Sequence, residues 1–369
     1  MRRSPLFLLS HLRRYAVART LFAPLTLRAA LKRLGYVQAD PIRAPARAQD
    51  LILRLRVKDY RAGDLEQQYP KLDIEEDFFV NYGFVRREHQ LSMHPRSGTQ
   101  RWSQSKQKRA QEVLEFVRER GTVHPRDVEE RFAHGRVVNY WGGTSNATTH
   151  LLDGMHYRGL LRVARRERGI RVYAAQEPRE PVRDAALRRA RIDALIDVLV
   201  ALYAPLPRTT LVWLVRRLRY ATPQWKGALE AALTRCDERL NHARIDGLQW
   251  YWPAREALES GDADAARVRL LTPFDPLVWD RLRFERFWDW AYRFEAYTPV
   301  SKRKLGYYAL PLLWRDKIIG WANVTAAAGA VDCQLGFVTE RPKQRGFARA
   351  LEAELADLQR FLTSRASRT

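Results

Sequence analysis

Residues 145–175 read SNATTHLLDGMHYRGLLRVARRERGIRVYAA, a helical pattern running directly into two alternating runs. Ser145 is a good N-cap, and Leu151, Leu152 and Met155 fall on one face of the helix it would open. Leu161 and Val163, then Ile170 and Val172, alternate on either side of Arg-Glu-Arg-Gly, the pattern of a hairpin. Upstream, residues 105–120 place Val113, Leu114, Phe116 and Val117 on one helical face and end at Gly121. The segment HPRDVEERF (124–132) is a second helix, with Pro125 in its first turn and Val128 and Phe132 turned inward. Three helices followed by a hairpin is the order of a winged helix.

The same order returns over residues 186–253. One helix carries Ile192, Leu195, Ile196 and Leu199. A second, capped by Thr209, carries Leu211, Leu214 and Leu218, and a third is capped by Thr222 with Pro223 in its first turn. The wing is ARIDGLQWYW, with Asp246-Gly247 as a two-residue hairpin turn. The N-terminal part reads as a less regular first copy: a helix near 5–19, a second from the Thr26 cap to Gly35, and a third in ARAQDLILRLRV. From about residue 268 the chain becomes rich in aromatic and branched residues, which indicates a small antiparallel sheet or barrel. Phe347, Leu351, Leu355, Leu358 and Phe361 then define a closing helix. The expected fold is α+β: winged-helix motifs at 1–104, 105–180 and 181–258, then a C-terminal antiparallel β-domain at 259–369 with a terminal helix.

The 369 residues are 46% hydrophobic, enough for a substantial core, so the chain is not a disordered tail. Lys and Arg number 65 against 42 Asp and Glu, a net charge of +23 that implies an extended anionic partner. Most of these cations are Arg, whose fork grips phosphate at two points; a biased genomic base composition would enrich Arg as well. Two unrelated cysteines, Cys236 and Cys333, give neither a disulfide framework nor a metal pair and suit a reducing cytosol. The apolar run from Pro5 to Ser10 is too short for a signal peptide or a membrane span and reads as part of an amphipathic first helix.

One connection carries unexpected chemistry. VQADPIRAP (37–45) lies in the turn of the first helix-turn-helix. Residues two apart in extended chain point the same way, and Pro41 biases Asp40 toward that conformation, so Gln38 and Asp40 should project side by side. A carboxylate facing DNA is repelled by phosphate and therefore needs another purpose. Reading bases is one, since a carboxylate accepts from the cytosine amine and Gln reads adenine. Hydrolysis of a base–sugar bond is the other: the acid stabilises a sugar cation and takes a proton from water while the amide holds that water.

The segments GYVQADPIRAPARAQDL, YWGGTSNATTHLLDGMHYRGLLRVARR, LTPFDPLVWDRLRFERFW and GYYALPLL together resemble the YcaQ/AlkZ family of bacterial winged-helix DNA glycosylases, in the same order and over most of the chain. The resemblance implies a monofunctional, metal-independent glycosylase acting on N7-alkylated purines in double-stranded DNA, interstrand crosslinks included. The family signature, Gln, an apolar residue, then Gln or Asp, falls on Gln38, Ala39 and Asp40. The Asp version is similar to the YcaQ branch, and Ala39 is smaller than the usual middle residue.

Candidate DNA contacts are Arg43 and Arg47 beside the turn, Ser145, Asn146 and Thr148 at the start of a helix, and Arg165, Arg166 and Arg168 on the second wing, with Arg171 near them. Trp141, Trp250 and Trp252 would either stack on DNA or fill a core. Gly142-Gly143 precedes a helix and reads as a turn. His89 and His94 read as hairpin and loop residues, and His150 and His156 lack metal-ligand spacing. No metal, cofactor or Schiff-base lysine is expected, and the chain is expected to act as a cytoplasmic monomer. The competing readings are a DNA-binding regulator without chemistry and, more remotely, a nuclease.

Overall fold

The structure is a computed structural model that describes residues 8–97, 101–133, 135–138, 144–258, 267–327 and 330–362. Helix α1 (Leu9–Thr20) precedes α2 (Leu27–Leu34), which opens where the Thr26 hydroxyl accepts the Ala29 N–H and closes at Gly35, whose φ of 71° a side chain would resist. Strand β1 (Tyr36–Gln38) leads into the turn that α3 (Ala48–Arg54) follows. Helix α4 (Asp64–Gln68), the hairpin of β2 (Ile74–Phe78) and β3 (Tyr82–Arg86), and α5 (Arg87–Met93) complete this third of the chain.

Next come α6 (Gln104–Arg120), β4 (Thr122–Val123) and α7 (Pro125–Phe132), then the paired strands β5 (Arg136–Val138) and β6 (Thr144–Asn146). Helix α8 (Ala147–Arg158) and the strands β7 (Leu161–Glu167) and β8 (Ile170–Ala175) follow. The following stretch holds α9 (Ala185–Tyr203), β9 (Leu206–Pro207), α10 (Arg208–Arg217), α11 (Leu229–Arg239), β10 (Asn241–Ile245) and β11 (Leu248–Trp252). The last part is β12 (Val268–Leu270), α12 (Arg281–Trp288), β13 (Leu310–Trp314), β14 (Lys317–Ala327), β15 (Ala330–Phe337) and α13 (Arg345–Leu362).

Both expected hairpins form with left-handed turns. Arg168 and Gly169 have φ of 49° and 84°, and Asp246 and Gly247 have 50° and 72°, the two consecutive positive values that match strand twist. In each case a short preceding strand pairs with the second arm of the hairpin, giving the orders β4-β8-β7 and β10-β11-β9. The C-terminal strands form one antiparallel sheet in simple order, β12 to β15. Helix α13 buries Phe347, Leu351, Leu358 and Phe361, with Leu355 half-buried.

Four local expectations are corrected. Residues 144–146 stay extended through pairing with Arg136–Val138, so Asn146 rather than Ser145 caps α8, accepting the Thr149 N–H at 3.0 Å. Helix α10 begins at Arg208, which places Thr209 inside the helix. The Thr222 hydroxyl donates back to the Leu218 carbonyl at 3.0 Å and makes no side-chain cap. His89 lies on α5, and His94 ends that helix with a buried side chain. Trp141 and Gly142-Gly143 lie outside the described residues.

The chain divides into two compact units. Unit 1 comprises residues 1–65, 196–213 and 234–369, and unit 2 comprises 66–195 and 214–233. The core of unit 1 draws Leu12 and Val17 from α1, Ile245 and Trp250 from the β10–β11 hairpin, and Phe284 and Phe287 from α12. Trp250 stacks on Phe287 with ring centroids 5.6 Å apart, and Trp252 is buried as well, so neither tryptophan is presented to a ligand. In unit 2, α6, α7 and α8 turn Val113, Val117, Val128, Leu151, Leu152 and Met155 inward with Leu161, Val163 and Val172 of the β7–β8 hairpin.

Candidate active site

Asp40 and its surroundings lie wholly in unit 1. After Gly35 the chain enters β1, where Tyr36, Val37 and Gln38 are all buried, Gln38 at 9% exposure. Asp40 is half-buried. Its Oδ1 accepts the Ile42 N–H at 2.9 Å, closing an Asx turn over Pro41, and its own N–H donates to Gln49 Oε1 of α3 at 3.4 Å. Among the described residues no Lys or Arg pairs with the Asp40 carboxylate. Burial, opposed only by the Ile42 hydrogen bond, lifts its pKa above the ordinary 3.8. Two tyrosines sense this charge: burial pushes both phenols up, and Asp40 adds to the shift of the buried Tyr308 and of Tyr297, which is 79% exposed.

The turn is braced from the C-terminal part of the same unit. Arg56, just beyond α3, is fully buried. It binds Asp275 at two points, 2.8 and 3.0 Å, and donates further to the Thr20 and Ile52 carbonyls. A two-point guanidinium–carboxylate pair with its remaining donors used is the geometry in which a buried ion pair is tolerated. Asp275 belongs to the quoted LTPFDPLVWD segment. So does Thr272, whose hydroxyl lies 3.1 Å from that of Tyr308, and Asp280, which accepts from Thr210 and caps α12 through the Arg283 N–H. The segment thus supports the α3 side and the tyrosine side of Asp40 at once. Sequence reading saw it as a resemblance and missed its partner, because Arg56 is 219 positions away.

The remaining candidates separate sharply. Arg43 is exposed, and Arg47 is half-buried at the N-cap of α3. Asn146 is committed to capping, and the buried Thr148 hydroxyl donates to Glu129. Ser145 contributes backbone pairing to β6. On the wing, Arg165 is partly exposed and bound to Glu167 at 2.6 Å, and Arg168 is exposed in the turn. Arg166 is different: its two-point pair with Glu76, at 2.8 and 2.6 Å, is a structural contact inside unit 2.

That contact belongs to a feature sequence reasoning missed. Strand β2 carries three consecutive buried acids, Glu75, Glu76 and Asp77, each met by a cation. Glu75 pairs with Arg162 at 2.8 Å and Arg87 at 3.2 Å, Glu76 with Arg166, and Asp77 with Arg96 at 2.6 Å. Asp77 also accepts from His94 Nε2 at 2.7 Å, and His156 Nε2 donates to the Glu76 carbonyl at 2.9 Å. Burial opposes ionisation of Asp77, but Arg96 and His94 together hold its carboxyl far below the usual range. Burial lowers the pKa of His94 and His156, so both rings are neutral at pH 7. Arg96 alone balances Asp77, which is why His94 can stay neutral beside a carboxylate.

A basic, two-unit α+β molecule with a half-buried carboxylate that no Lys or Arg pairs among the described residues, set in a turn behind a short strand, is the frame in which the comparisons fall. The family model for AlkZ-like DNA glycosylases matches residues 31–361, and the chain belongs to that family. Among solved structures, the DNA glycosylase AlkZ of Streptomyces sahachiroi is similar in fold, with a TM-score of 0.63 and 14% identity over 97% of both chains.

Proposed function

We propose that this chain is a monofunctional DNA glycosylase that hydrolyses the N-glycosidic bond of N7-alkylated purines in double-stranded DNA, interstrand crosslinks included, with Asp40 and Gln38 as its catalytic residues. The observation that carries the reading is the Asp40 carboxylate: fixed by the turn, half out of water and paired with no cation among the described residues, in a chain of charge +23. The acids of β2 differ in this respect: Glu75, Glu76 and Asp77 are each paired with a cation.

An N7-alkylated purine already bears positive charge, so the bond from sugar C1′ to N9 breaks with its electron pair passing to the purine and no strong general acid is required. The sugar is left as a cation, which the Asp40 carboxylate stabilises across a short distance in a partly dehydrated site. Water then bonds to C1′ and yields a proton to Asp40, while the Gln38 amide orients that water. A crosslinked purine is tethered to its partner strand and cannot swing fully into a closed pocket, which suits a carboxylate in a surface turn better than one in a deep cavity.

We further read residues 1–104, 105–180 and 181–258 as winged helices that hold duplex DNA, acting in a cytoplasmic monomer. Support comes from the strand order shared by the β4-β8-β7 and β10-β11-β9 sheets and from the exposed Arg43 and Arg168. The test is base release from a duplex with a single N7-methylguanine and from one with a nitrogen-mustard crosslink, in EDTA, with alkali added afterwards to reveal abasic sites. Wild type should release both, and Asp40→Asn and Gln38→Ala should lose most of that activity while still binding DNA. Release at the wild-type rate in both variants would remove these residues from the mechanism. No release by wild-type protein that still binds would leave a DNA-binding regulator.

A further inference from the structure

Unit 1 contains a basic concavity apart from the Asp40 turn, formed by residues 54–61, Arg267–Arg269 and one face of α13. It encloses about 940 Å³, near the upper end of the roughly 300–1,000 Å³ usual for small-molecule pockets, and it is open along one side. Seven cationic side chains line it against three carboxylates, Asp59, Glu354 and Asp357. Those carboxylates are already engaged, Asp59 included. Glu354 binds Arg54 at 2.6 Å and the Leu270 N–H at 2.8 Å, and Asp357 pairs with Arg360. Lys58, Arg61 and Arg349 have no ion pair among the described residues.

Arg54 adds an independent observation. Its side chain is 3% exposed, and it uses a single nitrogen, Nη2, for both Leu270 O and Glu354. Its Nε is buried without an acceptor. A buried guanidinium with an idle donor, at the edge of a cleft with a surplus of cations, is an arrangement that an incoming anionic oxygen completes. In unit 2, by contrast, Arg162, Arg166 and Arg96 are each neutralised by an acid of β2. Here Lys58, Arg61 and Arg349 meet no carboxylate among the described residues.

We propose that this cleft binds phosphates of a nucleic-acid strand, through Lys58, Arg61 and Arg349 with Arg54 beneath them. The lining cations come from three separate segments, residues 54–61, Arg267–Arg269 and α13, which favours the repeated charges of a strand over a single compact anion. The cleft is also joined covalently to the candidate catalytic turn. Gln49, which holds the Asp40 N–H, and Arg54 lie on the same helix five residues apart, about 7.5 Å along its axis. The inference rests on the DNA-directed reading of the family, but its test does not depend on catalysis.

The test is equilibrium binding of an undamaged duplex as a function of salt, for wild type and for Lys58→Gln/Arg61→Gln/Arg349→Gln. Each lost phosphate contact lowers the slope of log K against log salt by roughly 0.9, so the triple variant should lose between about two and three units of slope, and at least tenfold in affinity at low salt. A control of equal charge, Lys32→Gln/Lys317→Gln/Lys343→Gln, should keep the wild-type slope. The three cleft side chains carry no ion pair, so thermal unfolding should be unchanged. A cleft variant with wild-type slope and affinity overturns the proposal, as does an equal loss in the control. Inorganic pyrophosphate is the second probe. If it raises the thermal midpoint of wild type but not of the cleft variant, while duplex binding of the two is equal, the cleft takes a free phosphate ligand and the strand assignment is wrong. Absence of base release with cleft-dependent binding would count against the glycosylase reading alone; full release with cleft-independent binding would count against the cleft alone.

Discussion

In unit 1 the Asp40 carboxylate stands half-buried and unpaired by any cation among the described residues, whereas in unit 2 the Asp77 carboxylate is fully buried between Arg96 and His94. The same side chain is driven in opposite directions: upward in pKa by burial without compensation, downward by burial with more than enough of it. The first arrangement is costly to folding and leaves negative charge available to something outside the protein. The second spends all of its charge internally. An acid that the fold leaves uncompensated is therefore a better guide to chemistry than an acid that is merely buried.

The comparison breaks most visibly at the two aspartates themselves. Asp40→Asn is expected to lower single-turnover base release by about 10²- to 10⁴-fold with no loss of thermal stability, since it removes an uncompensated charge. A variant that unfolds early would place Asp40 with Asp77 as a structural acid. Asp77→Ala should do the reverse. It strands Arg96 in the interior and should cost about 3–5 kcal/mol in denaturant unfolding, while base release per folded molecule is kept. Arg166→Gln exposes the same logic from the cationic side, leaving Glu76 buried and unpaired at a cost of about 3 kcal/mol.

Acid titration sharpens the contrast. His94 and His156 have depressed pKa values, so their contribution to stability is complete above the ordinary 6.5 and is lost as pH falls below it toward the folded values. The Asp77 contribution is present above the ordinary 3.8 and is lost only at far more acidic pH. Asp40 has the opposite sign: its raised pKa favours the folded state below 3.8, and that contribution disappears as pH rises through the folded value. Catalysis needs the ionised form, so the acid limb of kcat/KM should lie above pH 3.8 and vanish in any activity left to Asp40→Asn. A limb at or below 3.8 would mean that Asp40 is as well solvated as a free side chain. The smallest effect is expected at Arg165, whose partly exposed pair with Glu167 contributes under about 1 kcal/mol. Arg165→Gln should leave unfolding unchanged and reduce the salt slope of duplex binding by at most about 0.9.

Local patterns carried much of this into the sequence. The Thr26 cap, Gly35, Pro125, the Asp246-Gly247 turn and the five apolar positions of α13 were legible because each depends on neighbours within a few residues. Family membership followed from quoted blocks and is matched over residues 31–361. What could not be read was long-range charge pairing. Glu75, Glu76 and Asp77 look like a solvated acidic run until Arg96, Arg162 and Arg166 close over them. For the same reason Arg166 reads as a phosphate ligand, and the burial of His94 against Asp77 cannot be read from its place in a loop. At the caps the errors had a smaller cause: Ser145 and Asn146 both suit the role, and only the pairing of β5 with β6 selects between them.

The pair of Arg56 and Asp275 spans 219 residues, and it lies beneath the helix that holds the Asp40 turn. On a ribosome adding roughly 5–20 residues per second, Asp275 is made between about 10 and 45 seconds after Arg56. During that interval Arg56 has no counter-ion, and the core of unit 1 still lacks Phe284, Phe287 and Leu313. The candidate turn is thus among the first parts synthesised and among the last to be braced. Nascent or prematurely terminated chains would carry Gln38 and Asp40 without the Arg56–Asp275 pair that braces the helix behind them.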